Sequence, residues 1–186
     1  MFLFPPRPTN AIIPSLIPLY EGKGYIAQLK KNGTCSLAFI DDAGNVTLKT
    51  RHNEDHKAWQ PTIKAIRFFS GYRSSIFVFE LLHSKGGDVR DTIYIFDVLK
   101  FKGRDLIGTM LKDRLAILKT IVTPEKISIA HTYTTGLLGL FEGLTSPLDE
   151  GIVLKRPDAI LRSCQKDGLN SNWQVKCRKP TKNYGF

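Results

Sequence analysis

The stretch "AQLKKNGTCSLAFID", residues 27–41, sets two strand-like segments on either side of Lys30-Lys31-Asn32-Gly33. An Asn-Gly pair reads as a tight turn, because both residues tolerate positive φ. A turn alone gives no reason for an amine on its strand-side shoulder, so Lys30 becomes the first candidate functional residue. Outward from it, "GYIAQLK" and "CSLAFID" are predicted strands, and "DDAGN" is a turn into the strand "VTLKTR". "NEDHKAWQP" reads as a polar loop and "IKAIRFF" as a short amphipathic helix. "SIFVFELLH" and "TIYIFDVLKF" are β-branched and aromatic runs separated by the turn-rich "SKGGD", which predicts a long hairpin.

In the second half, "LIGTMLKDRLAILKTIV" spaces Leu111, Leu115, Leu118 and Val122 as one helical face. "KISIAHTY" reads as a strand and "TGLLGLFEGLTSP" as a glycine-weakened helix; "EGIVLKR" and "NWQVKCRK" close the chain as strands. The pattern predicts an α+β fold of mostly antiparallel sheets flanked by helices, not a βαβ alternation. Residues 1–20 are apolar but broken by five prolines, with no basic head. They read as an extended arm packed on a domain of residues 21–186, not as a signal peptide.

With 186 residues, 42% apolar and 24% charged, the chain suits one compact domain with a real core. No run of about 18 apolar residues offers a membrane span. Cys35, Cys164 and Cys177 have no C-x-x-C spacing, so no disulfide scaffold or zinc site is expected, and the default setting is reducing and cytoplasmic. A net charge of +10 argues for a polyanionic partner, nucleic acid or a phosphate-rich ligand.

Phosphate-loop, dinucleotide-fold, H-E-x-x-H and G-x-S-x-G motifs are all absent. His52 and His56 have i, i+4 spacing but lie in the polar loop, and read as solvated side chains. What remains is lysines and carboxylates on strands. Glu80 interrupts "IFVFELL", Glu150 precedes "GIVLK", and Lys176 and Arg178 alternate onto one face of "QVKCRK". A carboxylate within an apolar strand needs a cation, a metal or a ligand hydroxyl to offset its burial. Singly, each has a plainer reading, such as Glu80 at a strand end beside a surface lysine. Together they make chemical sense. An amine nucleophile must be partly deprotonated, which neighbouring cations favour. Attack on phosphate also needs cations on its oxygens and carboxylates to hold a metal.

These residues resemble the motifs of the covalent nucleotidyltransferases: ATP-dependent DNA and RNA ligases and mRNA capping enzymes. Lys30 to Gly33 resembles motif I, K-x-[DN]-G. "LKTRHNED", with "AWQP" behind it, resembles the S-R-N-G-E-D…P segment through Arg51. "FVFEL" resembles motif III through Glu80, and "YIFDVLKFKGRDLIGTMLKDRLAIL" resembles motif IIIa and its following helix through Phe96 and Arg114. "EGIVLK" resembles motif IV through Glu150 and Lys155, and "WQVKCRK" motif V through Lys176 and Arg178. The resemblance runs in order from Glu21 to Lys179 and implies a nucleotidyltransferase (adenylation) domain.

It further implies roles. Lys30 would attack the α-phosphate of ATP and keep AMP as a phosphoramidate, within a nucleotide site that also includes Asn32, Gly33 and Lys155. Phe96 would stack on adenine and Glu80 would bind the ribose hydroxyls. Glu150, with Glu80, would hold Mg2+ (or Mn2+), while Lys176 and Arg178 would contact the α-phosphate. Arg51 would reach the ribose or a nucleic-acid phosphate. The implied activity is sealing of 5′-phosphate/3′-hydroxyl nicks in duplex nucleic acid by a monomer, with DNA ahead of RNA. RNA ligase is the alternative, a capping guanylyltransferase stands behind it, and a non-catalytic nucleic-acid-binding relic is the reading from another class.

The sequence also departs from the family. DNA ligases commonly continue motif I as K-x-D-G-x-R, whereas here Asn32 and Cys35 stand at the acid and arginine positions. Gly33-Thr34 instead resembles the K-x-x-G-[ST] form of some RNA ligases. Lys176 falls three places after Trp173, where the family's lysine commonly falls two. The OB-fold that follows this domain in ligases has no counterpart before Phe186; the alternatives are that a piece is missing from this chain, that a separate domain or protein supplies the function, or that the lone domain seals poorly.

Overall fold

The computed structural model describes residues 2–56, 59, 61–82, 89 and 91–180. The predicted "SKGGD" turn, part of the "NEDHKAWQP" loop and residues 181–186 lie outside the described residues. The strands are β1 (Ile26–Lys31), β2 (Gly33–Ile40), β3 (Val46–Thr50), β4 (Ser75–Leu82), β5 (Thr92–Phe101), β6 (Arg104–Asp105), β7 (Ile127–Ile129), β8 (Asp149–Lys155) and β9 (Gln174–Arg178). The helices are α1 (Ile17–Gly22), α2 (Ile63–Ser70), α3 (Leu111–Lys119) and α4 (Leu137–Glu142). This is the mixed α+β fold expected. Among the described residues, no helix is long and apolar enough to cross a membrane.

The stretch at Lys30 to Gly33 is not a hairpin. β1 pairs with β8 in a three-stranded antiparallel sheet, β1-β8-β9, while β2 belongs to a second sheet ordered β3-β2-β4-β5-β6. The chain changes sheets at Asn32, whose backbone N–H donates to Leu148 O at 2.7 Å. Neither Asn32 nor Gly33 takes positive φ. Gly33 is required for another reason: a Cβ there would stand 2.2 Å from Leu81 O and 2.9 Å from Glu80 Cγ. β7 pairs parallel with β5, the one departure from antiparallel pairing in the described sheets.

Each sheet has its own core. Leu37, Phe69, Phe77, Phe79, Ile93, Ile95, Leu111 and Leu118 pack on the larger sheet. Ile17, Ala27, Leu137, Phe141, Ile152, Leu154 and Cys177 pack between the smaller sheet and α1 with α4. Apolar burial on this scale supplies the main favourable term in folding. The Glu21 carboxylate, at the end of α1, accepts from the N–H groups of Gly136 (2.7 Å) and Leu137 (2.9 Å), capping α4 and tying the two helices together.

Two expectations need adjustment. The helix predicted over 106–122 covers only α3, because Gly108 takes φ 86° and the backbone at 108–112 bonds to residues 157–161 instead. Val122 lies past the helix end and is 87% exposed. The N-terminal arm is extended only at its start. Pro14 opens a 3-10 turn and Pro18 sits in the first turn of α1, positions where a missing N–H costs nothing.

α3 is anchored to β5 by a fully buried ion pair. Arg114 Nε and Nη2 donate to the two Asp97 carboxylate oxygens at 2.8 and 3.1 Å, both side chains being at most 1% exposed. Arg114 also donates to Thr109 O at 3.1 Å, so its charge is well partnered. Removing one partner strands the other charge in the core. Arg114→Met is therefore expected to lose about 3–5 kcal/mol of stability in urea denaturation, while pairing it with Asp97→Leu recovers most of the loss.

Candidate functional site

Strand alternation gives the smaller sheet two chemically different faces. Ala27, Ile152, Leu154, Val175 and Cys177 face the core under α1 and α4. Their neighbours Gln28, Lys30, Val153, Lys155, Gln174, Lys176 and Arg178 line a cavity of about 560 Å³ between the sheets. Gly33, Thr34, Cys35, Glu80, Tyr94 and Phe96 form the opposite wall, with Cys35, Glu80 and Tyr94 opposite one another in register on β2, β4 and β5. Arg51 and His52, just past β3, lie at the rim.

By simple alternation Glu150 should face away from this cavity with Ile152 and Leu154. A β-bulge re-aims it: Lys30 pairs with Gly151 and Lys31 with Asp149, leaving Glu150 as the extra residue. Gly151 takes φ +152°, and a Cβ there would stand 1.9 Å from Cys177 O. Gly151 is thus squeezed between Lys30 on β1 and Arg178 on β9. The outcome is a shared carboxylate. Glu150 Oε2 accepts from Lys30 Nζ and lies 3.6 Å from Arg178 Nε.

At the other end of the cavity, Lys155 Nζ donates to Gln28 Oε1 at 2.5 Å and sits 5.1 Å from the centre of the Phe96 ring. Burial pushes the Lys155 amine down to about 8. Burial also pushes the Glu80 carboxyl up to about 7; Lys30 and Arg51 oppose the rise and Glu150 adds to it. Lys176 is held below the usual lysine range, first by burial and then by the charges of Arg178, Lys30, Arg7 and Arg51. The Cys35 thiol is pushed up to about 12 by burial and by Glu80, so it stays protonated and is no nucleophile. The amines of Lys30, Lys155 and Lys176 all line this cavity.

Of the residues singled out in the sequence, Lys30, Gly33, Arg51, Glu80, Phe96, Glu150, Lys155, Lys176 and Arg178 line the one cavity. Asn32 does not; it turns the chain from one sheet into the other. His52 accepts from Arg51 Nε at 3.1 Å, and the His56 ring packs edge-on against Trp59. Among the described residues, no group of three His, Cys, Asp or Glu side chains is placed to hold a metal. Glu80 and Glu150 do both line the cavity, and magnesium is commonly bound by one or two carboxylates together with substrate phosphates.

Sequence reasoning missed Gln28, Gln174 and Arg7. The first two were open to detection, since they stand two residues from Lys30 and Lys176 on the same strand faces. Arg7 had no local signal.

No protein-family model and no curated protein matches the chain by sequence. Solved structures do match its fold. The ligase domain from M. tuberculosis LigD superposes with a TM-score of 0.73 at 21% identity, over 95% of this chain and 60% of that one. Mycobacterial DNA ligase D complexed with ATP and MES gives 0.67 at 21% identity, again over 95% and 60%. The ATP-dependent DNA ligase from bacteriophage T7, in complex with ATP, gives 0.57 at 16% identity, over 91% and 67%. The chain therefore has the fold of a ligase nucleotidyltransferase domain, and it spans about 60% of the length of the mycobacterial ligase chains it matches.

Glu80 yields a test of the cavity's electrostatics. Below pH 4.5 its carboxyl is protonated in folded and unfolded chains alike. As pH rises to about 7 the unfolded chain ionises first, so this group lowers stability across that window. Glu80→Gln should leave stability unchanged at pH 4 and raise it at pH 8 by roughly 3 kcal/mol, read from urea melts of both proteins across the range.

Proposed function

We propose that this chain, folded as a ligase nucleotidyltransferase domain, is the catalytic part of an ATP-dependent polynucleotide ligase, acting on nicked DNA. The observation that carries the reading is the convergence of Lys30, Glu150, Lys176 and Arg178 at one end of a cavity whose other end holds Phe96 and Lys155. The first set suits a phosphate under attack and the second a stacked purine.

In this reading Lys30 gives a proton to the Glu150 carboxylate it is bonded to, and the free Nζ forms a bond to the α-phosphorus of ATP as the bond to pyrophosphate breaks, its second proton leaving with the pyrophosphate. Glu150 holds the Lys30 amine in place beforehand, and Lys176 and Arg178 offset charge on the α-phosphate oxygens. A 5′-phosphate oxygen at the nick then attacks the same phosphorus and frees Lys30. Finally the 3′-hydroxyl attacks the 5′-phosphate, joins the strand and releases AMP. Magnesium, held by Glu150 and Glu80 with the phosphates, would neutralise charge on the oxygens around the reacting phosphorus. Arg51, at the cavity rim, would contact the ribose or a nucleic-acid phosphate, and the +10 net charge supports such a partner.

One observation favours RNA as the second reading. Thr34 lines the cavity in the K-x-x-G-[ST] form seen in some RNA ligases. Parallel sealing assays on nicked DNA and nicked RNA, each with a pre-adenylylated 5′ end, separate the two.

Intact-protein mass spectrometry after incubation with magnesium and ATP should show one AMP adduct, absent with GTP and absent in Lys30→Ala. An adduct that persists on the Lys30→Ala protein would refute the assignment. Phe96→Ala should weaken ATP binding by about 1–3 kcal/mol while leaving affinity for nicked duplex near that of the parent. Equal losses for both ligands would argue against stacking.

A further inference from the structure

The N-terminal arm runs along the open edge of β9. Ala11 bridges Lys176 in parallel, with the Ile12 N–H donating to Lys176 O at 2.9 Å and the Lys176 N–H to Asn10 O at 3.0 Å. Lys176 Nζ reaches Thr9 O at 3.3 Å, and farther back the Phe4 N–H donates to Cys164 O at 2.6 Å. Between these two fastenings Pro6, Arg7 and Pro8 line the cavity. Proline on both sides narrows the backbone freedom of this short span.

Arg7 is clasped by Asp167 in a two-pronged contact, Nε to Oδ1 at 2.8 Å and Nη2 to Oδ2 at 2.7 Å. That uses one edge of the guanidinium and leaves the Nη1 hydrogens to donate elsewhere. The pair is about one-third exposed on each side, so it contributes little to stability and holds the arginine oriented. The α-phosphate already has Lys30, Lys176 and Arg178 close to its expected position. Arg7 adds a further cation to this cavity from the arm that runs along the β9 edge.

We propose that Arg7 is a specificity-determining ligand for the pyrophosphate portion of a nucleoside triphosphate, carried into the cavity by the N-terminal arm. The proposal rests on the nucleotide-binding reading of the cavity and adds a role for a segment outside all of its motifs. The arm then discriminates triphosphate from monophosphate. It favours the substrate of the first step over the AMP released in the last.

The test measures binding of α,β-methylene-ATP, whose carbon bridge between the α- and β-phosphorus atoms attack by Lys30 cannot break, and of AMP, both with magnesium. The proteins are the full chain and its Arg7→Gln and Asp167→Asn variants, studied by titration calorimetry. Arg7→Gln should weaken the triphosphate analogue about tenfold to a hundredfold, the worth of a charge-assisted contact, and leave AMP unchanged. Asp167→Asn breaks the same ion pair and loosens the arginine's orientation yet keeps its charge, so it should weaken the analogue by much less than Arg7→Gln does. Equal losses in both variants would show a clasp that only positions the arm, and would overturn the proposal. No loss in Arg7→Gln, or the same loss for AMP as for the analogue, would also overturn it while leaving the nucleotide reading intact. If the unaltered chain binds neither ligand, the nucleotide reading itself fails and this proposal falls with it.

Discussion

The candidate site depends on one point of backbone contact, where Gly151 passes between β1 and β9 with no room for a side chain. The bulge there turns Glu150 out of the run of core-facing residues and into the cavity, beside Lys30 and Arg178. A carboxylate in that position can hold an amine and a guanidinium at once. Without the bulge it would lie in the apolar core formed by Ile152 and Leu154, unpaired and strongly disfavoured. The local geometry of one strand thus decides whether the cations around it have a counter-charge.

A second constraint acts at a larger scale. Each sheet buries its apolar face against its own helices, so the faces turned toward each other are free to be polar. The cavity is lined by charged groups because neither core needs those positions. It is also closed enough that burial pushes the Glu80 carboxyl up to about 7 and the Lys155 amine down to about 8, toward neutrality in both cases. A polar ligand entering here meets groups poised to change charge near neutral pH. The buried Asp97–Arg114 pair is of a different kind. It sits behind Phe96 in the sequence of β5 and fastens α3 to that strand, and its charges meet no solvent.

The period-two pattern of the closing strands was legible directly. Lys176 and Arg178 alternate with Val175 and Cys177, so a polar and an apolar face could be assigned from spacing alone. The interruption of "IFVFELL" by Glu80 was equally legible, because a carboxylate among β-branched and aromatic residues is seldom there for packing. The Asn-Gly step was misleading. Its preference for turns is real, but the strands on either side have stronger partners elsewhere, β8 for one and β4 for the other, and tertiary pairing overrode the local preference. The helix over 106–122 was overlong for a similar reason: backbone bonds to residues 157–161 competed with helical ones before Leu111.

By itself the sequence determined the residue types of the site, their order along the chain and the face of the strand on which most of them lie, because strand periodicity ties neighbours to opposite faces. Only the tertiary structure decided that Glu150 joins Lys30 and that Asn32 stays outside. It also brought Arg7 from the arm to the cavity, 160 residues from its partner Asp167. Those outcomes rest on register, on a bulge and on contacts between distant segments. Each is set by which strands pair, and no local run of residues encodes that.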